Sequence, residues 1–186
     1  MKIEVFDNII DYNTRNNIYV FCRNSKFKIG WEDSDDIDKR FNPCLYSDWS
    51  QEDLKNSLLF DYLNVLISKS KFKNNYDVEK IEKVVCNLSK PGDVNFLHTH
   101  KDHNVILYYV NLEWNDGYYG ETVFTDSQGK ENIFTSNYVP GRFVLFDGKI
   151  PHSIRPQSSL GPAYRFTISV FFTKPEIKWQ PHVTSS

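Results

Sequence analysis

Two short segments concentrate the residues of this chain that could bind a metal ion. Residues 96–103 read Phe-Leu-His-Thr-His-Lys-Asp-His, and residues 146–155 read Phe-Asp-Gly-Lys-Ile-Pro-His-Ser-Ile-Arg. Four of the five histidines lie in these segments, each beside an apolar, strand-like run. Residues i and i+2 of an extended chain point to the same face, so two residues of the first segment could reach one ion. A third ligand must then come from a neighbouring strand, and His152 is the candidate.

This spacing is typical of a 2-His-1-carboxylate site, which holds Fe(II) on one face and leaves the opposite positions open. Imidazole and carboxylate suit that metal, whereas a closed structural zinc site needs four ligands and usually includes cysteine. The candidate ligands are His98, His100, Asp102 and His152. Short polar clusters are also common in solvated turns, so the first three residues alone leave metal binding open.

A candidate anion-binding residue lies in the last apolar run of the chain, 164–173. Arg165, Thr167 and Ser169 alternate there with apolar residues, so the three polar side chains face the same side of a strand. An arginine that points into the protein is costly unless an anion meets it, and a carboxylate held by two hydrogen bonds compensates best. That anion is either a ligand or an Asp or Glu of the chain, unless this strand face is exposed to solvent.

The elements that must position these residues are mostly strands. From Val78 onward the apolar residues occur in short runs with the pattern of β-strands. Pro-Gly, Asn-Asp-Gly, Ser-Gln-Gly and Leu-Gly-Pro turns separate these runs. The predicted strands are 78–88, 94–98, 105–111, 121–125, 132–138, 142–147 and 164–173. Consecutive strands without helices between them predict a closed or sandwiched antiparallel structure. We therefore expect a mainly β fold with flanking α-helices, a jelly roll with the N-terminal helices packed on one sheet.

Two helices are predicted before the strands. Ile9 to Cys22 shows a helical stripe that Asp11 or Asn13 could cap. Ser50 reads as the N-cap of a second helix, whose apolar residues recur at helical spacing to about Ser70.

The organisation that this predicts is one domain. Residues 1–77 form a helical and loop support region, residues 78–174 form the β core, and residues 175–186 form a C-terminal tail.

Composition excludes several classes of function. A net charge of −2 without a basic run argues against nucleic-acid or membrane-surface binding. The N-terminus lacks the apolar core of a signal peptide, and no stretch approaches the roughly 20 apolar residues of a membrane span. Three cysteines without a C-x-x-C spacing predict free thiols in a reducing cytoplasm, where Fe(II) also persists. The oligomeric state is left open.

A wider set of motifs gives a family resemblance. After the histidine segment come Tyr-Tyr-Val-Asn at 108–111, Gly-Glu-Thr-Val-Phe at 120–124 and Pro-Gly-Arg-Phe-Val-Leu-Phe-Asp at 140–147, then Pro-His at 151–152 and Arg-Phe-Thr at 165–167. Over about residues 78–172 the chain resembles the Fe(II)- and 2-oxoglutarate-dependent oxygenases, within them the prolyl 4-hydroxylase-like branch. The resemblance implies a double-stranded β-helix, the cupin-like form of the jelly roll. It also implies that Arg165 binds the C5 carboxylate of 2-oxoglutarate, with Tyr109 and Thr167 assisting, and that no catalytic side chain is needed beyond the metal centre.

The register of the metal ligands stays open. The family normally shows His-x-Asp, which His100-Lys-Asp102 satisfies literally. His98-Thr-His100 fits better the distance from the Pro-Gly turn at 91–92 and places a histidine where the carboxylate belongs. We favour His98 as the first ligand, with His100 and Asp102 competing for the second position and His152 as the third.

The resemblance implies a dioxygenase that uses O₂, decarboxylates 2-oxoglutarate to succinate and CO₂, and hydroxylates a substrate. By family analogy the substrate is a prolyl residue of a peptide, and a small molecule is the other candidate. Loops near 32–49 and 112–119 are expected to determine specificity. The alternatives are a cupin-like metal- or sugar-binding protein or epimerase without oxygenase activity, and a binding module that has lost its iron.

Overall fold

The computed structural model describes residues 3–30 and 45–174, which form ten strands and three α-helices. The strands are β1 Ile3–Phe6, β2 Lys28–Ile29, β3 Leu45–Trp49, β4 Ile81–Ser89, β5 His103–Tyr109, β6 Thr122–Thr125, β7 Asn132–Ser136, β8 Phe143–Asp147, β9 His152–Ile154 and β10 Arg165–Thr173. The helices are α1 Tyr12–Arg23, α2 Gln51–Asn56 and α3 Phe60–Lys69. Short 3₁₀ turns occur at Lys73–Asn75, Val78–Lys80 and Asp116–Tyr118.

The strands form two antiparallel sheets. The large sheet has the order β1-β8-β5-β10-β4-β3-β2, and the small sheet has the order β7-β6-β9. In the large sheet the central strand β10 pairs with β4 on one side and with β5 on the other. The predicted mainly β fold with flanking helices is confirmed.

Strand β10 shows how the layers arise from the sequence. Its apolar residues Phe166 and Ile168 belong to the core cluster that includes Ile18 of α1 and Leu63 of α3. The alternate residues of the strand face the small sheet, and Arg165 is buried on that side. Because successive side chains of a strand point to opposite faces, the large sheet carries the helices on one face and a cavity on the other.

Helix α1 begins where the sequence predicted. Asp11 is its N-cap, and its carboxylate accepts a hydrogen bond from the Thr14 amide at 3.1 Å. The predicted second helix is instead two helices, α2 and α3. Leu58 between them has a positive φ of 67°, and the Ser57 hydroxyl donates to the Leu54 carbonyl at 2.7 Å. The Ser57 hydroxyl thus competes with the backbone hydrogen bonds that would continue one helix. The spacing of the apolar residues does not reveal this local effect.

The N-terminal region contributes strands as well as helices. β1 pairs with β8, where Ile3 lies opposite Phe146, and β3 pairs with β4, where Leu45 lies opposite Leu88. Residues 94–98, predicted as a strand, pair only through an isolated bridge at His98. The predicted tail at 175–186, and most of the predicted specificity loop at 32–49, lie outside the described residues.

In the parts of the chain that the structure describes, every helix is too short or too polar to cross a membrane.

Candidate active site

The structure brings three predicted metal ligands together. The ring nitrogens of His98, His100 and His152 that could bind a metal all lie within 4.8 Å of one another. The ring centroids of His98 and His152 are 4.4 Å apart, and that of His100 lies 4.9 and 5.1 Å from them. This geometry fits the His98-x-His100 register, with His152 supplied by the small sheet.

Backbone hydrogen bonds fix the two histidine segments against each other. The His98 and His152 amides each donate to the other's carbonyl at 3.0 Å. The His100 amide donates to the Gly148 carbonyl at 2.7 Å, and the Gly148 amide donates to the His103 carbonyl at 3.0 Å. A Cβ at Gly148 would lie 2.3 Å from the His100 carbonyl oxygen, so only glycine allows this close approach.

Two of the rings are held in the tautomer that a metal requires. Nδ1 of His98 lies 2.9 Å from the Phe96 carbonyl, and Nδ1 of His152 lies 2.9 Å from the Ile150 carbonyl. A carbonyl only accepts, so each Nδ1 carries the proton and each Nε2 keeps its lone pair. Such bonds to the far ring nitrogen are the usual outer support of metal-binding histidines.

The surroundings favour the neutral form of two of the histidines. Burial, together with the smaller effect of the nearby His98, lowers the pKa of His100 to about 3. Burial likewise lowers the pKa of His152 well below its ordinary value. The ring of Phe171 meets His100 edge-on at 4.9 Å, and that of Phe146 meets His152 at 4.8 Å. Neutral imidazole is the form that binds metals, so this apolar environment prepares the site.

Asp102 is not part of the cluster. It is exposed in the turn after His100, where its carbonyl accepts from the Lys174 amide at 3.2 Å. The chain turns at Lys101 and Asp102, so the alternation that would direct the Asp102 carboxylate towards the cluster does not continue. His103 also points elsewhere, with Nε2 at 3.1 Å from the Glu82 carboxylate.

Arg165 is buried and forms no ion pair with another described residue. It is 1% exposed, and its Nε donates to the Gly120 carbonyl at 3.0 Å. Its Nη2 is buried and has no hydrogen-bond partner among the described residues, and the same is true of Thr167 Oγ1. These two donors belong to side chains that the β10 alternation places on one face. Unpartnered buried donors are rare in folded proteins, so an acceptor beyond the described residues, such as a bound ligand, is expected here.

The acidic residue nearest in sequence to the arginine pocket, Glu121, forms no ion pair with Arg165, although its charge opposes the lowering of the Arg165 pKa by burial. Glu121 follows Gly120, yet the carboxylate of Glu121 approaches Arg155 at 4.0 Å, and no ion pair joins it to Arg165. Gly120 itself has a positive φ of 79°, and a Cβ there would lie 3.2 Å from the Arg165 side chain. The pocket therefore fits the guanidinium closely, and none of the described residues forms an ion pair with it.

Two tyrosines support the guanidinium. The rings of Tyr109 and Tyr138 stack with centroids 4.6 Å apart, and Arg165 lies 4.7 Å from the Tyr138 centroid and 5.6 Å from that of Tyr109. The Tyr109 hydroxyl donates to Thr122 Oγ1 at 2.8 Å. Tyr109, predicted to contact the cosubstrate, thus lies under Arg165 and does not itself line the cavity.

A cavity of about 60 Å³ joins the two groups of residues. It contacts the three histidines, Arg165 and Thr167, so the metal cluster and the arginine face one space. Leu45, at the end of the predicted specificity loop, also lines it, whereas residues 112–119 do not. In that second loop Trp114 packs on Tyr138 at 4.4 Å.

Sequence reasoning missed several residues of this site. Tyr138 beneath Arg165 follows from no motif, because the contact joins β10 to a segment distant in sequence. Asn87 of β4 also lines the cavity, and its amide lies 3.4 Å from the Ser169 hydroxyl. The alternation of β4 could have indicated that Asn87 shares the face of Arg165, since Asn87 is opposite Thr167 in the sheet.

No family model and no curated protein matches the sequence. Solved structures do match the fold. A prolyl-4-hydroxylase from Pseudomonas putida has a TM-score of 0.70 at 15% identity, covering 93% of both chains. A prolyl hydroxylase from Trichoplax adhaerens, in complex with a hypoxia inducible factor oxygen degradation domain peptide fragment, has a TM-score of 0.67 at 15% identity, covering 93% of this chain and 84% of that one. HygX from Streptomyces hygroscopicus, with nickel and 2-oxoglutarate bound, has a TM-score of 0.65 at 8% identity, covering 96% and 85%. The resemblance found in the sequence is therefore confirmed at the level of the fold.

Proposed function

We propose that this chain is an Fe(II)- and 2-oxoglutarate-dependent dioxygenase. The observation that carries the proposal is the single cavity that joins three histidines to a buried arginine with no ion-pair partner among the described residues. A metal cluster alone would suit many proteins. The added guanidinium requires an anion, and a dicarboxylate that chelates a metal at one end satisfies both groups at once.

His98, His100 and His152 would hold the metal through their ring nitrogens. The carbonyls of Phe96 and Ile150 keep two of these rings oriented. Three protein ligands occupy one face of an octahedral ion and leave the remaining positions for other ligands. Asp102 is the fourth candidate from the sequence, and its exposed position makes it the weaker one.

Arg165 and Thr167 would bind the distal carboxylate of 2-oxoglutarate. Arg165 Nη2 and Thr167 Oγ1 are the free donors, and Nε is already fixed by Gly120. A hydrogen bond to a charged group contributes about 1.5–3 kcal/mol, enough to orient the cosubstrate. Tyr109 and Tyr138 hold the guanidinium plane, so the arginine needs no reorganisation when the carboxylate arrives.

When bound, Fe(II) supplies the redox chemistry that couples O₂ and decarboxylation of 2-oxoglutarate, giving succinate and CO₂, to hydroxylation of a C–H bond. The chain's own contribution is position and exclusion of water. Phe124 and Phe146 pack around His152, which is 6% exposed, so the reacting centre is shielded from bulk solvent. No side chain beyond the metal ligands is assigned an acid or base role.

The proposal extends to fold and organisation. We assign the two antiparallel sheets as a double-stranded β-helix, with residues 78–174 as the catalytic core and the N-terminal 77 residues as support. A reducing cytoplasm would suit Fe(II) and the buried thiols of Cys22 and Cys86.

The substrate that we propose is a prolyl residue of a peptide. Support comes from the fold likeness to two prolyl hydroxylases, one of them in complex with a peptide. A small molecule is the other candidate, because likeness of fold constrains substrate weakly.

The test is 2-oxoglutarate turnover by the purified protein with Fe(II) and O₂. Succinate formation above that of a His152→Ala variant supports the proposal, even without the primary substrate. A cupin-like protein without oxygenase activity would bind metal but would neither form succinate nor be stabilised by 2-oxoglutarate. That result would replace the proposed function with the alternative.

A further inference from the structure

The charges of the candidate ligands affect how tightly the site can hold a metal ion. All three ligands in the cluster are imidazoles, and His100 occupies the position that a carboxylate takes in a 2-His-1-carboxylate site. An imidazole binds a metal in its neutral form, so none of the three ligands brings a negative charge. The protein ligands therefore leave the full double positive charge of a divalent ion uncompensated.

The rest of the cavity adds to this excess. Of the described residues that line it, none is Asp or Glu, and Arg165 contributes a further positive charge. Acidic residues near the histidine segments are directed elsewhere: Asp102 is exposed, and Asp147 pairs with Lys174 at 2.6 Å. A divalent ion in this cavity would share it with a guanidinium and with no carboxylate of the described lining residues.

The cavity walls do not screen this charge. Phe124 and Phe146 pack on His152, and Phe171 packs on His100, so the ion would be surrounded by apolar rings on several sides. Uncompensated charge in such surroundings is costly, and like charges repel more strongly there than in water. Since the described lining residues include no carboxylate, a ligand would bring the negative charge.

We propose that, because His100 stands where a carboxylate would, the cavity binds a divalent ion and 2-oxoglutarate cooperatively. Without 2-oxoglutarate it retains the ion only weakly. This inference rests on the proposed function and names how its site is controlled. A chelating dianion neutralises the ion at one end and Arg165 at the other. By thermodynamic linkage, the ion must raise the affinity for 2-oxoglutarate by the same factor.

The test measures Mn²⁺ binding to the full chain by titration calorimetry under anaerobic conditions, with and without saturating 2-oxoglutarate. Mn²⁺ is the probe because it binds similar ligands without turnover. Saturating 2-oxoglutarate should raise the Mn²⁺ affinity at least roughly 30-fold, in the upper part of the usual range of coupling between sites. In His100→Asp the new carboxylate supplies negative charge directly, so Mn²⁺ should bind more tightly in the absence of 2-oxoglutarate. The factor by which 2-oxoglutarate raises the Mn²⁺ affinity, the coupling, should then fall at least about fivefold.

Ser153→Asp is the matched control. It adds the same charge beside His152 but on the opposite face of β9, in the groove outside the cavity. Its coupling should equal that of the wild type. If His100→Asp fails to fold, His98→Asp tests the same exchange at the neighbouring ligand.

The outcomes separate this inference from the proposed function. A wild-type coupling below about threefold, or equal coupling in wild type and His100→Asp, overturns the inference while metal and 2-oxoglutarate binding stand. Strong coupling without succinate formation under Fe(II) and O₂ supports it and removes the oxygenase assignment. Absence of metal binding under both conditions overturns both.

Discussion

Replacing Arg165 by lysine separates the shape of the guanidinium from its charge. In the structure Nε is held by the Gly120 carbonyl at 3.0 Å, while Nη2 remains a free buried donor on the cavity side. An ammonium group cannot keep the bond to Gly120 and also present the planar fork that a carboxylate fits. The variant should therefore lose about one charged hydrogen bond to 2-oxoglutarate, roughly 1.5–3 kcal/mol. At about 1.4 kcal/mol per tenfold, the dissociation constant should rise by one to two orders of magnitude.

Calorimetric titration of 2-oxoglutarate into Mn²⁺-saturated protein measures this effect without turnover. The Mn²⁺ affinity in the absence of 2-oxoglutarate should change little, because Arg165 is not a metal ligand. Arg155→Lys is the control: its side chain is 57% exposed and lies outside the cavity, so 2-oxoglutarate should bind as in the wild type.

Two results would refute the reasoning about Arg165. A change of less than about threefold in the dissociation constant of a folded variant would mean that the fork contacts no carboxylate. Unfolding of the variant, together with a wild type that 2-oxoglutarate does not stabilise, would make Arg165 a structural residue.

The remaining predictions concern the histidines. His152→Ala should abolish metal binding and succinate formation while the protein stays folded by circular dichroism; near-normal succinate formation would remove His152 from the site. Asp102→Ala should retain metal and His98→Ala should lose it, as measured by metal content, and the reverse pattern would restore the His100-Lys-Asp102 register. Burial lowers the pKa of His100 to about 3 in the folded chain, whereas its ordinary value is 6.5. Between these two pH values the unfolded chain therefore binds a proton at His100 that the folded chain does not. The metal-free protein should therefore lose up to about 1.4 kcal/mol of unfolding free energy per pH unit as the pH falls through this range. Urea unfolding of wild type and His100→Gln checks this, and equal pH slopes would contradict it.

The periodicity of the apolar residues predicted most of the strands and helices, because local sequence patterns determine these elements. The alternation of β10 predicted that Arg165 and Thr167 share a face, and the structure places both on the cavity. The break between α2 and α3 was not predicted, since the left-handed Leu58 and the Ser57 hydroxyl interrupt a stripe that looks continuous. Nor did the sequence reveal that the region before residue 78 supplies β1 and β3 to the large sheet, because strand pairing is long-range.

The metal register illustrates the limit at the site. The sequence allowed two readings because both match His-x-ligand spacing. The features that favour the His98-x-His100 register are the turn at Asp102 and the close approach of Gly148 to the His100 carbonyl, which depend on contacts across about fifty residues. The tyrosine pair beneath Arg165 is likewise a tertiary feature.

Anaerobic addition of Fe(II) and then 2-oxoglutarate, followed by visible absorption, tests the central claim most directly. The predicted result is a weak charge-transfer band that appears only with both components and saturates at one equivalent of each. The band should be absent from His152→Ala. A protein that binds Fe(II) but shows neither the band nor binding of 2-oxoglutarate would contradict the account.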